Sequence, residues 1–111
     1  MDGRWGDAVL PPSGSFELTG DAGGSVLHLR GDVDAPVVQE MEVAGVDPRA
    51  VVAVDVGALT YIDSTGLSML VRWAQHARGT GRPALIRRPT PRFVKVLEVA
   101  GISPLFQADG P

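Results

Sequence analysis

A carboxylate and two hydroxyls stand side by side in Tyr61-Ile62-Asp63-Ser64-Thr65-Gly66-Leu67. A serine there could act as a nucleophile, accept a phosphate, or cap a helix. A nucleophile needs a base within reach and an orienting group behind it. Asp63 is the immediate neighbour of Ser64, so the two side chains need not meet. His28 belongs to a distant segment, and His76 lies about 18 Å further along a helix. Position 62, where a nucleophile elbow carries glycine, is isoleucine. No catalytic residue is expected, and the chain does not read as an enzyme. Asp32, Asp34 and Asp63 each follow a strand and could converge at one end of a sheet. Three carboxylates there could hold a hard cation such as magnesium. Their spacing matches no closed metal loop, and capping or loop hydrogen bonds account for them more simply, so no metal and no cofactor are expected. Gly23-Gly24 and Gly79-x-Gly81 read as turns rather than phosphate loops.

The elements that must hold these groups are legible on both sides. Ala50 to Val56 is a near-continuous apolar run, as in a strand covered on both faces. After the junction, Leu67, Leu70, Val71, Ala74 and Ala77 recur at helical spacing with Arg72, Gln75 and His76 opposite. Ser64 therefore stands at or beside a helix N-terminus, where free N–H groups and the helix dipole favour negative charge. The bland alternative makes it a cap worth ~1 kcal/mol. Met69 and Trp73 fall on the flank of the stripe; they belong to the core or, if exposed, extend a partner-binding patch.

Upstream, residues 1–14 form a loose arm containing Trp5 and Leu10. Phe16 and Leu18 mark an edge strand, residues 21–24 a turn, and Val26 to Arg30 a second strand. Gly31-Asp32-Val33-Asp34 breaks it. A short helix follows, with Asp34 or Ala35 near the cap and Pro36 in the first turn. Val37, Val38, Met41 and Ala44 make its buried stripe, and Gly45 and Pro48 stop it. Downstream, Gly79-Thr80-Gly81 ends the helix after the junction, and Pro83 to Arg87 is a strand. Thr90 caps a last helix with Pro91 at its first position, and Phe93, Val94, Leu97 and Ala100 face the core. Gly101 stops it, Ile102, Leu105 and Phe106 form a final short element, and the tail frays. The order ββαβαβα plus a short C-terminal element implies an α/β fold. Its sheet is mixed but mostly parallel, with an antiparallel edge hairpin and helices packed against it.

The 111 residues suit a single domain with one core. A hydrophobic content of 44% is ordinary for a folded chain, and no run approaches a membrane span. The N-terminal residues lack the pattern of a signal peptide, so cytoplasmic residence is expected. There is no cysteine, which excludes disulfides and thiolate metal sites. A net charge of −3 argues against direct nucleic-acid binding. The one basic cluster, Arg87-Arg88 with Arg82 and Arg92, reads as a solvated strand end and turn. A monomer is the expected state.

Asp63-Ser64-Thr65-Gly66-Leu67, preceded by Tyr61-Ile62, resembles the signature of the anti-sigma factor antagonists, single-domain bacterial STAS proteins. Leu29-Arg30-Gly31-Asp32-Val33-Asp34 is similar to that family's strand and acidic turn. Val96 to Ile102, within Pro91 to Phe106, resembles its last helix and terminal glycine. The resemblance covers about residues 15 to 107, with an arm before it and a tail at 108–111. It implies partner switching in sigma-factor regulation, often in stress responses. Ser64 matches the phosphorylated serine. The unphosphorylated protein would bind an anti-sigma factor, itself a serine kinase with its own ATP and magnesium, and so free a sigma factor. Phosphorylation would release it, and a phosphatase would restore it. Asp32 and Asp34 match acidic loop positions near the serine, while Asp63, Ser64, Thr65, Gly66, Leu67 and Ser68 match the contact surface. The alternative is a non-switching STAS scaffold or accessory subunit of a stress-signalling or lipid-transport complex. The helix from Pro36 to Gly45 is shorter than the resemblance implies.

Overall fold

The computed structural model describes residues 14–109 apart from Ala22. Trp5, Leu10 and most of the expected arm lie outside the described residues. Strand β1 (Ser15–Asp21) pairs antiparallel with β2 (Gly24–Val33), and β3 (Val51–Ile62), β4 (Leu85–Arg87) and β5 (Gln107–Asp109) follow in parallel, each beside its predecessor. Helices α1 (Ala35–Val43), α2 (Ser64–Gly79) and α3 (Pro91–Val99) make the three crossovers between parallel neighbours. Successive right-handed crossovers moving one way along a sheet put all their helices on one face. The core lies between that face and the helices. Leu27, Leu29, Val54, Val56 and Ile86 come from the sheet, and Val37, Met41, Leu70, Trp73, Phe93 and Leu97 from the helices. Each such side chain stabilises the fold by roughly 1.5–3 kcal/mol on burial.

Several details differ from the sequence reading. β3 runs six residues past Val56, and β2 continues through Gly31 and Asp32 to Val33. The ladder between them shifts register between Ser25 and Val26, between His28 and Arg30, and between Gly31 and Asp32. Bulges of this kind break the alternation that marks a strand in sequence while leaving the pairing intact. Ala108 and Asp109, expected in a fraying tail, instead form with Gln107 a strand on β4, fixed by Arg87 Nε donating to Asp109 Oδ2 at 2.7 Å. Ala44 and Ala100, expected in the core, are exposed C-caps, and Val94 is 37% exposed. These short helices leave the sheet before their stripes are complete. The expected terminators act as read: Gly81 and Gly101 have φ of 76° and 74°. In each case the following N–H reaches back to the helix, Arg82 N to Ala77 O at 2.8 Å and Ile102 N to Leu97 O at 3.0 Å.

On α2 the buried face is rotated from the expected stripe. Leu70, Trp73, Ala74 and Ala77 are buried, while Leu67 and Val71 are only half-buried. Trp73 lies at the centre of the face rather than on its flank. Its indole Nε1 donates to Val51 O at 3.0 Å, and its ring stacks on Phe106 with centroids 6.4 Å apart.

The face of the sheet turned away from the helices carries a charged network in place of a second apolar layer. Alternation puts His28, Asp55 and Arg87 there, beside buried Val26 and Ala53. Asp55 is itself buried, and a buried carboxylate needs partners. Arg88 supplies them through Nε at 3.0 and 3.1 Å and Nη2 at 2.9 Å, and Gly57 N–H adds a bond at 2.9 Å. Arg88 adopts φ 53° to reach, and a Cβ on Gly57 would fall 2.5 Å from its guanidinium. Burial pushes the Asp55 carboxyl up, but the Arg88 and Gly57 hydrogen bonds and the charges of Arg88 and His28 together hold it below its ordinary 3.8. Two members of the basic cluster, Arg87 and Arg88, are thus bound to carboxylates, though they do sit at a strand end and turn.

The sign of the pH effect follows. A carboxyl with a lowered folded pKa contributes stability that is complete above its unfolded value and is lost as pH falls through the folded one. The stability gap between the native protein and Asp55→Asn should therefore be level from pH 7 to about 5 and shrink below pH 4. Urea melts across that range check it; a gap that stays constant to pH 2 refutes the linkage.

Candidate functional site

β2 and β3 finish level, with Val33 paired to Ile62, and each strand leads through one aspartate into a helix. Asp34 Oδ1 accepts from Val37 N at 3.4 Å and caps α1. Asp63 Oδ1 accepts from Gly66 N at 2.9 Å and caps α2. Asp63 N donates to Val33 O at 3.1 Å, which ties the second cap to the end of β2. Asp32 lies opposite Tyr61 in the ladder and accepts from Thr60 Oγ1 at 2.7 Å. The three acids do stand at one end of the sheet, each with a structural partner. Among the described residues no group of three or more His, Cys, Asp or Glu could hold a metal ion.

Ser64 is the first residue of α2, not its cap. The capping role belongs to Asp63, which leaves Ser64 exposed and its hydroxyl without a hydrogen bond among the described residues. Thr65 is half-buried, Gly66 buried, Leu67 half-buried and Ser68 exposed. Ser64, Leu67 and Ser68 line a shallow groove of about 430 Å³ together with Val71, Arg72 and Ile102. Its far wall is the end of α3, a contribution no local motif announces. The exposed Tyr61 lines a second hollow of about 280 Å³ with Thr60, Arg92 and Phe93.

His28 is engaged elsewhere: its Nε2 lies 2.9 Å from Thr19 Oγ1 and its Nδ1 3.8 Å from Asp55 Oδ2. It belongs to the charged face of the sheet and not to the Ser64 end.

Gly66 is what lets α2 start so close to the sheet. A Cβ there would lie 2.5 Å from Ile62 Cγ1 and 3.0 Å from Val33 O, and the second neighbour is backbone that cannot swing away. Gly66→Ala should cost about 1–3 kcal/mol despite alanine's better helix propensity. Chemical denaturation checks this, and a neutral or stabilising result would show that the junction can open freely.

A family model described as "Mlab, STAS domain" matches residues 16–107. The chain belongs to the STAS domain family. Solved structures show the same fold. The domain is similar to the anti-sigma factor antagonist SpoIIAA in its unphosphorylated form, at 17% identity over 86% of this chain and 88% of that one, with a TM-score of 0.64. The phosphorylated form of SpoIIAA, a Bacillus cell fate determinant, matches at 19% over 86% and 91%, with a TM-score of 0.62. An anti-sigma factor antagonist from Mycobacterium paratuberculosis matches at 23% over 92% and 90%, with a TM-score of 0.64. No curated protein matches this STAS domain in sequence. No described helix is long and apolar enough to cross a membrane.

Proposed function

We propose that this STAS domain is an anti-sigma factor antagonist that works by partner switching, with Ser64 as the phosphorylated residue. The reading rests most heavily on one observation: Ser64 is exposed at the first position of α2 while Asp63 does the capping. Its hydroxyl is therefore free for a kinase, and modifying it takes no bond away from the fold. The likeness in fold to SpoIIAA in both its unphosphorylated and its phosphorylated form is consistent with such a switch.

The unmodified domain docks an anti-sigma factor over Ser64, Thr65, Leu67 and Ser68, with Asp32, Asp34 and Asp63 as the acidic margin of the contact. That partner is a serine kinase, and a sigma factor is released when it is captured. Phosphate adds about −1.5 to −2 charge at the centre of the docked face. The helix N-terminus tolerates that charge within the domain. A partner lying over it must strip water from an unpaired dianion, which costs several kcal/mol. A phosphatase resets the switch. The domain acts as a binding module and a kinase substrate, and needs no cofactor.

The test is the intact mass of the protein recovered from its host, with peptide mapping of any added phosphate. Phosphate on Ser64 that changes with growth condition supports the switch. Unmodified protein under every condition would make the domain a constitutive scaffold.

A further inference from the structure

A cavity of about 420 Å³ opens between α1 and α2, away from Ser64. Its volume falls within the range of small-molecule sites. The floor is apolar, built by Leu27, Val54, Met41 and Trp73, and the loop after α1 closes one side through Val46 and Pro48. It exists because α1 ends at Val43, too soon to cover the sheet beside α2. Arg72 and His76, one turn apart on α2, line it together with Glu42 from α1. Arg72 makes no ion pair or side-chain hydrogen bond among the described residues, and Glu42 does not engage it.

We infer that this cavity binds a small amphiphile, an unbranched apolar chain carrying a single anionic head. The chain enters the apolar floor, and the head pairs with Arg72 and accepts a hydrogen bond from His76. A guanidinium left without a partner beside an apolar pocket is the charge complement such a head requires. Carboxylate and phosphate heads share that chemistry. The site stands apart from the Ser64 switch and holds whether or not Ser64 is phosphorylated. The two share one side chain, since Arg72 also lines the groove beside Ser64.

The experiment titrates hexanoate, octanoate, decanoate and decyl phosphate, below their micelle concentrations, into the full-length protein. The readout is the indole N–H resonance of Trp73, whose ring lines the cavity and whose N–H is bonded to Val51 O. Saturable one-to-one binding is expected, tightening roughly fourfold per added methylene. The decanoate and decyl phosphate arms tell the two heads apart. Decanol against native protein, and decanoate against Arg72→Gln, should each bind at least about tenfold more weakly. Glu42→Gln should bind decanoate at least as well as the native protein. Absence of saturable binding by either anion overturns the inference. So does decanol binding as tightly as decanoate, which would leave the cavity as a seat for a partner's apolar side chain.

Discussion

Phosphorylation of Ser64 should weaken binding to the proposed anti-sigma factor partner by about a hundredfold or more and shift the melting temperature by only a few degrees. The two halves of that expectation come from the same geometry. Ser64 is exposed and holds no bond among the described residues, so a phosphate there displaces nothing in the fold. Asp63 already occupies the Gly66 N–H, and Asp32 and Asp34 stand at the same end of the sheet. The phosphate is therefore not drawn into a waiting pocket; it projects from an end that is already acidic. A partner fitted to the bare hydroxyl meets new bulk and a charge whose hydration it must remove. Calorimetric titration of the captured partner with protein carrying phosphoserine at position 64 checks this. Ser64→Ala should bind within about threefold of the native protein, because small exposed side chains contribute little to an interface. Equal affinity of the phosphorylated and bare forms would end the switch reading and leave the surface as a constitutive contact.

Trp73→Ala should cost about 3–5 kcal/mol. Trp73 is 3% exposed and joins three elements at once. It is part of α2, its N–H holds the first residue of β3, and its ring stacks on Phe106 just before β5. Removing the ring leaves a cavity that the surrounding strands can only partly close. Total stability for a domain of this size is roughly 5–15 kcal/mol, so the variant should be near its unfolding midpoint at modest temperature. Trp73→Phe keeps most of the packing and loses the hydrogen bond, at about 1–2 kcal/mol. Urea unfolding of both variants separates the terms. Equal losses would mean that the N–H bond, not the ring, anchors the helix. The consequence reaches the site, because the start of α2 that presents Ser64 is held in direction by this anchor nine residues on.

The charged face of the sheet shows where a sequence signal was present but incomplete. Asp55 sits inside an apolar run, and a carboxylate in such a strand demands a partner. Its identity could not be read, because Arg88 is thirty-three residues away and reaches Asp55 only through a left-handed backbone at the end of β4. The run itself reads as a strand buried on both faces. Residues 51–56 are indeed largely buried on both, but topology decides by what, since three crossovers in one direction leave one face without a helix among the described residues. The two faces then differ in kind, one an apolar core and the other a polar network around Asp55.

The sequence alone determined the order of elements, the α/β class and the junction at which Ser64 sits. Those follow from local physics: apolar period, capping aspartates and threonine, proline in a first turn, glycine after a last one. It also placed Asp32, Asp34 and Asp63 at one end of the sheet, although Asp32 lies within β2 and only Asp34 and Asp63 follow a strand. The tertiary structure decided which hydroxyl or carboxylate does which job. Asp63 and Ser64 are both good caps, and the choice between them depends on Asp63 N–H being held by Val33 O from another strand. It decided which side of α2 is buried, because Trp73 finds a carbonyl at the start of β3 and a ring before β5. It decided that β2 and β3 run on through their bulges, that residues 107–109 complete the sheet, and that the short α1 leaves a cavity beside Arg72. Each of these depends on groups far apart in sequence, and local propensity carries no record of such pairings.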